Sequence, residues 1–305
     1  MDANGIRRRG FVAGALGVLA AACDPDGNGS PARRDTALLA VKIDNVGAAR
    51  PQTGIEDADI VYAEQVEGGL SRLMAVFGSH VPDVVGPVRS ARETDLELLR
   101  QFDRPTLAYS GAQGKLQPLI DAAPLRAMPQ GEHSGAYFRG GGKPAPHNLY
   151  LRPARLGRPT SGAGAGQAAG FRFATGVPGG GRPETAWTVR FPAARFTFDW
   201  SAGRRRWLVG MDGRAAVTAG GERLAAATVV VQYVDVLASR FHDKFGSTSP
   251  LSRTVGSGRA VVLRDGRAYD ARWQRPSAGE GTAFTADGQP LAFAPGQVWV
   301  VFAKK

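Results

Sequence analysis

Apolar positions along the chain fall in short blocks separated by Gly, Pro, Asp and Asn. Residues 38–43 (LLAVKI) predict a buried strand that ends at the polar pair Asp44-Asn45. Residues 59–66 (DIVYAEQV) predict a second strand, Gly68-Gly69 a turn, and residues 73–77 (LMAVF) a third strand. Ser90-Ala91-Arg92-Glu93 has capping-box spacing and predicts a helix from there to about Phe102, with Leu96, Leu99 and Phe102 at helical spacing. A short strand over residues 106–109 and a second helix over 113–121 follow. Strands alternating with helices predict a mixed α/β domain over residues 37–156.

Residues 157–181 hold nine glycines in 25 positions, too little apolar surface to offset the backbone entropy of ordering them. Residues 157–183 therefore read as a linker, with Phe171-Arg172-Phe173 as a short docking segment. Beyond it, strands are expected over 188–191, 195–200, 206–211, 215–219, 228–236 and 298–302. Asp265-Gly266 between residues 259–263 and 268–273 is a strong hairpin signal. With no long amphipathic helix, residues 184–305 read as a smaller β-rich domain, and the expected class is α+β.

The start of the chain has a different pattern. Arg7, Arg8 and Arg9 precede an apolar run over residues 11–22. The run is shorter than the ~20 residues needed to span a bilayer and fits a signal peptide over residues 1–22. Leu19-Ala20-Ala21-Ala22-Cys23 resembles the lipobox of bacterial lipoproteins, which makes Cys23 the candidate lipidation site. The plainer alternative is an ordinary signal site followed by a small residue. Arg8-Arg9 also resembles a twin-arginine signal, so export by that route or the general secretory route is expected. Residues 23–36, without apolar period, read as a lipidated tether.

Composition narrows the chemistry. Cys23 is the one cysteine, which excludes an intramolecular disulfide and a Cys-based zinc site. The four histidines form no zinc-protease helix, no Gly-x-Ser-x-Gly elbow is present, and the sequence calls for no cofactor. The net charge of +11 falls to +9 once residues 1–22 are removed. The arginines are scattered, with no run of five or more basic residues. Arg204-Arg205-Arg206, flanked by Trp200 and Trp207, reads as a hairpin rather than a nucleic-acid site. The expected partners are the membrane, through Cys23, and an anionic cell-wall polymer or an envelope protein.

Several segments together resemble a known family. They are Val41-Lys42-Ile43-Asp44-Asn45, Ala49-Arg50-Pro51-Gln52, Ala58-Asp59-Ile60-Val61-Tyr62, Val66-Glu67-Gly68-Gly69, Gly86-Pro87-Val88-Arg89-Ser90-Ala91-Arg92 and Ala145-Pro146-His147-Asn148-Leu149-Tyr150. In the second half they are Gly256-Ser257-Gly258, the Asp265-Gly266 hairpin and Pro295-Gly296-Gln297-Val298-Trp299. The chain resembles the YerB-like bacterial lipoproteins, which pair an N-terminal domain of unknown function with a C-terminal companion (family 3048). The resemblance implies anchoring on the outer face of the cell membrane and leaves the activity open. The family's second acidic residue near Tyr62 is here Ala63, followed by Glu64.

Polar residues gather at the predicted strand ends. Asp44, Glu64, Glu67 and His147 are the candidate catalytic residues, and Arg72, Arg89, Ser90, Arg92 and Asn148 the candidate ligand-binding residues. Two arginines around a helix N-terminus suit a phosphate or carboxylate. A histidine beside carboxylates suits acid–base work. The three acids also permit calcium or magnesium, although no twelve-residue calcium loop is present. Each residue has a structural alternative: Ser90 as helix cap, Arg92 pairing with Asp95, Arg89 pairing with Glu64 or Glu67, and His147 donating to a backbone carbonyl. His242-Asp243 reads as a solvated loop pair. The functions in competition are a non-enzymatic binding or scaffold protein and a hydrolase or transferase acting on an anionic envelope substrate.

Overall fold

Strand-forming runs from both halves of the chain meet in one large sheet. The computed structural model describes Met1 and residues 38–157, 164–243 and 246–305; Cys23, the signal segment and the tether lie outside them. The strands are β1 (Leu39–Asp44), β2 (Ile60–Gln65), β3 (Ser71–Phe77), β4 (Thr106–Tyr109), β5 (Arg126–Pro129), β6 (Thr228–Val234), β7 (Gly256–Arg264), β8 (Arg267–Arg275), β9 (Ala283–Ala286), β10 (Gln289–Pro290) and β11 (Val298–Lys304). Their order is β10-β9-β8-β7-β6-β11-β2-β3-β1-β4-β5, with Arg182–Pro183 added beside β8. The halves join where β2 pairs parallel with β11, Ile60 opposite Val298 and Ala63 opposite Val301. Central strands such as β1, β3 and β11 are buried along nearly their whole length, because both faces of the sheet are covered.

One face packs against a five-stranded sheet built on Ala186–Phe191, Ala194–Ser201 and Arg206–Met211. Val41, Ile43, Val61 and Trp299 meet Phe196, Phe198 and Trp207 there. The other face carries Ala40, Tyr62, Met74 and Val300 and is covered by short helices and loops. Phe171, from the glycine-rich stretch, is buried on this face beside Phe293, with ring centroids 5.0 Å apart.

The expected α+β class with an N-terminal α/β domain is corrected: the protein is mostly β. The α-helices among the described residues are α1 (Glu93–Leu99), α2 (Gln117–Asp121) and α3 (Ala165–Ala168), of seven, five and four residues. The helix expected from Ser90 starts three residues later, with Arg92 as its N-cap. The Asp95 carboxylate accepts the Arg92 backbone N–H at 2.7 Å, so Asp95, rather than Ser90, ties the first turn. Alternating strands and helical periods look like α/β units, yet β1 and β2 flank β3 antiparallel. The helices merely cap one face. No helix among the described residues is long and apolar enough to cross a membrane.

Local turn chemistry follows the sequence closely. Asp212-Gly213, Asp265-Gly266 and Asp287-Gly288 all take left-handed φ values, the geometry that closes two-residue hairpins. A hairpin the sequence did not disclose, Val236–His242 with Thr248–Ser252, crosses from the second half onto α1. There Thr94 Oγ1 accepts the Ser252 N–H at 3.1 Å, and Glu97 accepts the Thr254 N–H at 2.6 Å.

Candidate functional site

Strand alternation places the site. On β1 the residues sharing a face with Ala40 are Lys42 and Asp44; on β2, Glu64 follows Tyr62; on β3, Arg72 precedes Met74. Each stripe is apolar at one end of its strand and charged at the other, so the charged ends line up across the sheet beneath α1. In register, Asp44 and Glu64 each stand opposite Arg72.

Above these strand ends lies a cavity of about 890 Å³. Asp44, Glu67, Arg72, Arg89, Ser90 and Arg92 line it, and the C-terminal hairpin contributes Phe241, His242 and Ser249. The structure thus brings together six of the candidate residues. Apolar side chains, among them Val46, Val66 and Leu70, complete the wall.

Each charged group has a definite environment. Arg92 grips Glu67 with two hydrogen bonds, Nε to Oε1 at 2.6 Å and Nη2 to Oε2 at 2.8 Å, and Ser249 donates to the same carboxylate. Burial alone would raise the Glu67 carboxyl, but the Arg92 hydrogen bonds and charge, with Ser249, outweigh it and lower it to about 2. Gly68 and Gly69 both have positive φ (67° and 71°), and this turn sets Glu67 under Arg92. The expected Arg92–Asp95 pair is a backbone contact, and the Arg92 guanidinium goes to Glu67 instead.

Arg89 pairs with neither Glu64 nor Glu67. Its Nε lies 3.1 Å from Asp44 Oδ2, close enough for attraction but out of line for a hydrogen bond. His147 Nδ1 approaches the same oxygen at 2.8 Å. A carboxylate only accepts, so Nδ1 is the donor. The carbonyl partner expected for His147 is replaced by Asp44.

Arg72 stands apart. It is 9% exposed, and its Nη1 donates to the Ser90 carbonyl at 3.0 Å. Among the described residues, no carboxylate lies within ion-pairing distance of it. Burial, then the like charges of Arg92 and Arg89, lower its guanidinium to about 10 against the opposing pull of Glu67 and Asp44. The Ser90 carbonyl also accepts from Arg92 at 3.4 Å, so Ser90 gathers two guanidinium groups through its backbone instead of capping α1.

Glu64, His147 and Asn148 fall outside the cavity wall, which reaches Pro146 beside His147. Glu64 is buried below it with Lys42, which also bonds Asp95 at 2.7 Å. Asn148 accepts from Arg139 at 2.8 Å and donates to the Gly140 carbonyl at 3.3 Å, fastening a local hairpin. Asp44, Glu64 and Glu67 do not share a metal centre: each has its own cationic partner, and no group of three metal-ligating side chains is assembled among the described residues. Sequence reasoning missed Lys42 and Ser249 and named Asp95 only as a partner for Arg92. A lysine inside an apolar strand was the available signal for Lys42. It also set aside His242, which lines the cavity.

Residues 27–166 match the family model described as "Protein of unknown function (DUF3048) N-terminal domain", and residues 187–300 match that of the C-terminal domain. The chain belongs to the DUF3048 family. A Bacillus subtilis (strain 168) relative, YerB, whose name describes it as a candidate lipoprotein, is 35% identical over 112 residues. That match spans 37% of this chain and 34% of the relative, about a third of its length. A crystal structure of YerB protein from Bacillus subtilis matches with a TM-score of 0.72 at 21% identity, covering 88% of this chain and 91% of that one. At that identity the likeness establishes a shared fold. The YerB-like family expected from the motifs is thereby shown.

Proposed function

We propose that this DUF3048 protein is an exported, lipid-anchored envelope protein whose cavity binds an anionic group of a cell-wall polymer. The lipobox-like segment ending at Cys23, together with the name of the Bacillus subtilis relative, supports the anchor on the outer face of the membrane. One observation carries the binding role: buried Arg72 has no carboxylate partner among the described residues, in a cavity where Arg89 and Arg92 add two further guanidinium groups. Carboxylates near Arg72 attract it from beyond pairing distance, so its guanidinium keeps N–H groups for a phosphate or carboxylate entering the cavity, held there by charge-assisted hydrogen bonds. The apolar wall suits a ligand whose anionic group is attached to a larger body.

Co-sedimentation with purified cell walls tests this. Walls carrying their anionic polymer should retain the protein, walls stripped of it should not, and Arg72→Gln should lower retention at least tenfold. Equal retention by both walls, or a neutral effect of Arg72→Gln, refutes the proposal. Recovery of an envelope protein instead of wall polymer points to the other partner class.

The Asp44–His147 contact favours a second role, hydrolase or transferase. Asp44 fixes the ring so that Nε2 is free to take a proton. Turnover of a phosphoester substrate that is lost in a normally folded His147→Ala variant supports catalysis; binding without turnover opposes it.

A further inference from the structure

A second charge cluster lies beneath the floor of the cavity, and anion binding by itself does not use it. Lys42 of β1 holds two buried carboxylates, Glu64 Oε1 of β2 and Asp95 Oδ1 of α1, the latter at 2.7 Å. Asp95 Oδ2 is satisfied by the Arg92 N–H at 2.7 Å. Glu64 Oε2 is different: it is buried and has no hydrogen-bond partner among the described residues. A buried carboxylate oxygen without a donor is costly to keep ionised, and a proton on it removes the charge. Burial, then the neighbouring Asp95, push the Glu64 carboxyl up to about 7, against the pull of Lys42 and Arg72.

The charged groups facing Glu64 are Lys42 from β1, Arg72 from β3 and Asp95 from α1. Arg72 belongs to both layers, since it stands opposite Glu64 in the β2–β3 register and lines the cavity. The two layers already hold many carboxylates before any ligand arrives. Lys42, Arg72, Arg89 and Arg92 face Asp44, Glu64, Glu67 and Asp95, and Glu93, His242 and Asp243 also line the cavity. An anion held by Arg72 adds negative charge and draws on the field that favours ionised Glu64.

We propose that anion binding in this cavity is coupled to the uptake of one solvent proton, received by Glu64 Oε2. The coupling rests on the anion-binding role proposed above. The step forms one O–H bond from a hydrated proton and breaks no other bond. By reciprocity, a protonated Glu64 tightens the anion, so the site favours its ligand as pH falls. An anionic ligand is then held more firmly in an acidified wall and released as pH rises.

The test is isothermal titration of the full chain with sulfate, which does not titrate near neutrality, between pH 6 and 8.5. Two buffers of different ionisation enthalpy report proton uptake. Expected are uptake of a substantial fraction of one proton per sulfate near pH 7.5 and an affinity falling up to about tenfold per pH unit above 7. Glu64→Gln should bind with no uptake and a flat pH profile, and His147→Asn should keep the uptake. Should Glu64→Gln not fold, Asp95→Asn replaces it, and its uptake should shift to lower pH. Sulfate binding without proton uptake overturns the coupling and leaves anion binding standing. Uptake that vanishes in His147→Asn and persists in Glu64→Gln overturns the assignment to Glu64. Absence of sulfate binding overturns both.

Discussion

Glu64→Gln should stabilise the protein, and by an amount that depends on pH. The Glu64 carboxyl is raised from 4.5 to about 7 by burial, with Asp95 adding to it. The folded state therefore holds this proton more tightly than the unfolded chain does. The penalty for ionised Glu64 is absent below pH 4.5, grows between 4.5 and about 7, and is complete above that. At about 1.4 kcal/mol for each tenfold in proton affinity, the full penalty is about 3 kcal/mol. Glutamine reproduces the neutral form and leaves Lys42 paired with Asp95. Urea unfolding at pH 8 should show Glu64→Gln more stable than wild type by about 2–3 kcal/mol, with the gain shrinking toward zero near pH 4.5. A variant that is less stable by the same amount at pH 8 and pH 5 would refute the reasoning. It would mean that the Lys42–Glu64 pair is a net stabilising ion pair at every pH.

Three further outcomes are expected. Arg92→Ala leaves Glu67 buried without its bidentate partner and should cost about 3 kcal/mol at pH 7, read by urea unfolding. Glu67 is held at about 2, so its contribution is present above pH 4.5 and lost as pH falls through 2; the variant's stability curve should be flatter across that acid range. Gly69→Ala places a Cβ 2.6 Å from Pro192 Cβ at a φ of +71°, and thermal unfolding should show a loss of about 1–3 kcal/mol. Trp299→Ala removes a fully buried ring that sits 6.3 Å from both Phe196 and Phe198, and should cost about 3–5 kcal/mol by denaturant titration.

Strands such as β1, β3 and β8 were legible because their apolar runs and Asp-Gly turns carry their own local signals. Sheet order was not, since pairing Ile60 with Val298 joins positions far apart in the chain and leaves no trace in either segment's periodicity. The α/β expectation failed for the same reason, since β1 and β2 pair antiparallel with β3; Ser90-x-x-Glu93 is a sound capping signal, but the Ser90 carbonyl is occupied by Arg72 and Arg92 and the helix starts at Glu93. Asp44, Glu67, Arg72, Arg89 and Arg92 stood out as charges at the ends of apolar runs, and the cavity collects them. Partner choice was less readable. Arg89 goes to Asp44 rather than to Glu64 or Glu67, because Glu64 faces Lys42 and Glu67 faces Arg92. Ser249 reaches Glu67 from 182 positions away, a contact that only the folded hairpin creates.

The most direct measurement of the central claim is a crystal structure of the protein equilibrated with selenate, with the selenium located by its anomalous scattering. Selenate should lie in the cavity within hydrogen-bonding distance of the Arg72 guanidinium and beside Arg89. Selenate bound elsewhere with the cavity free of it, or Arg72 found paired with a carboxylate of the protein itself, would contradict that claim.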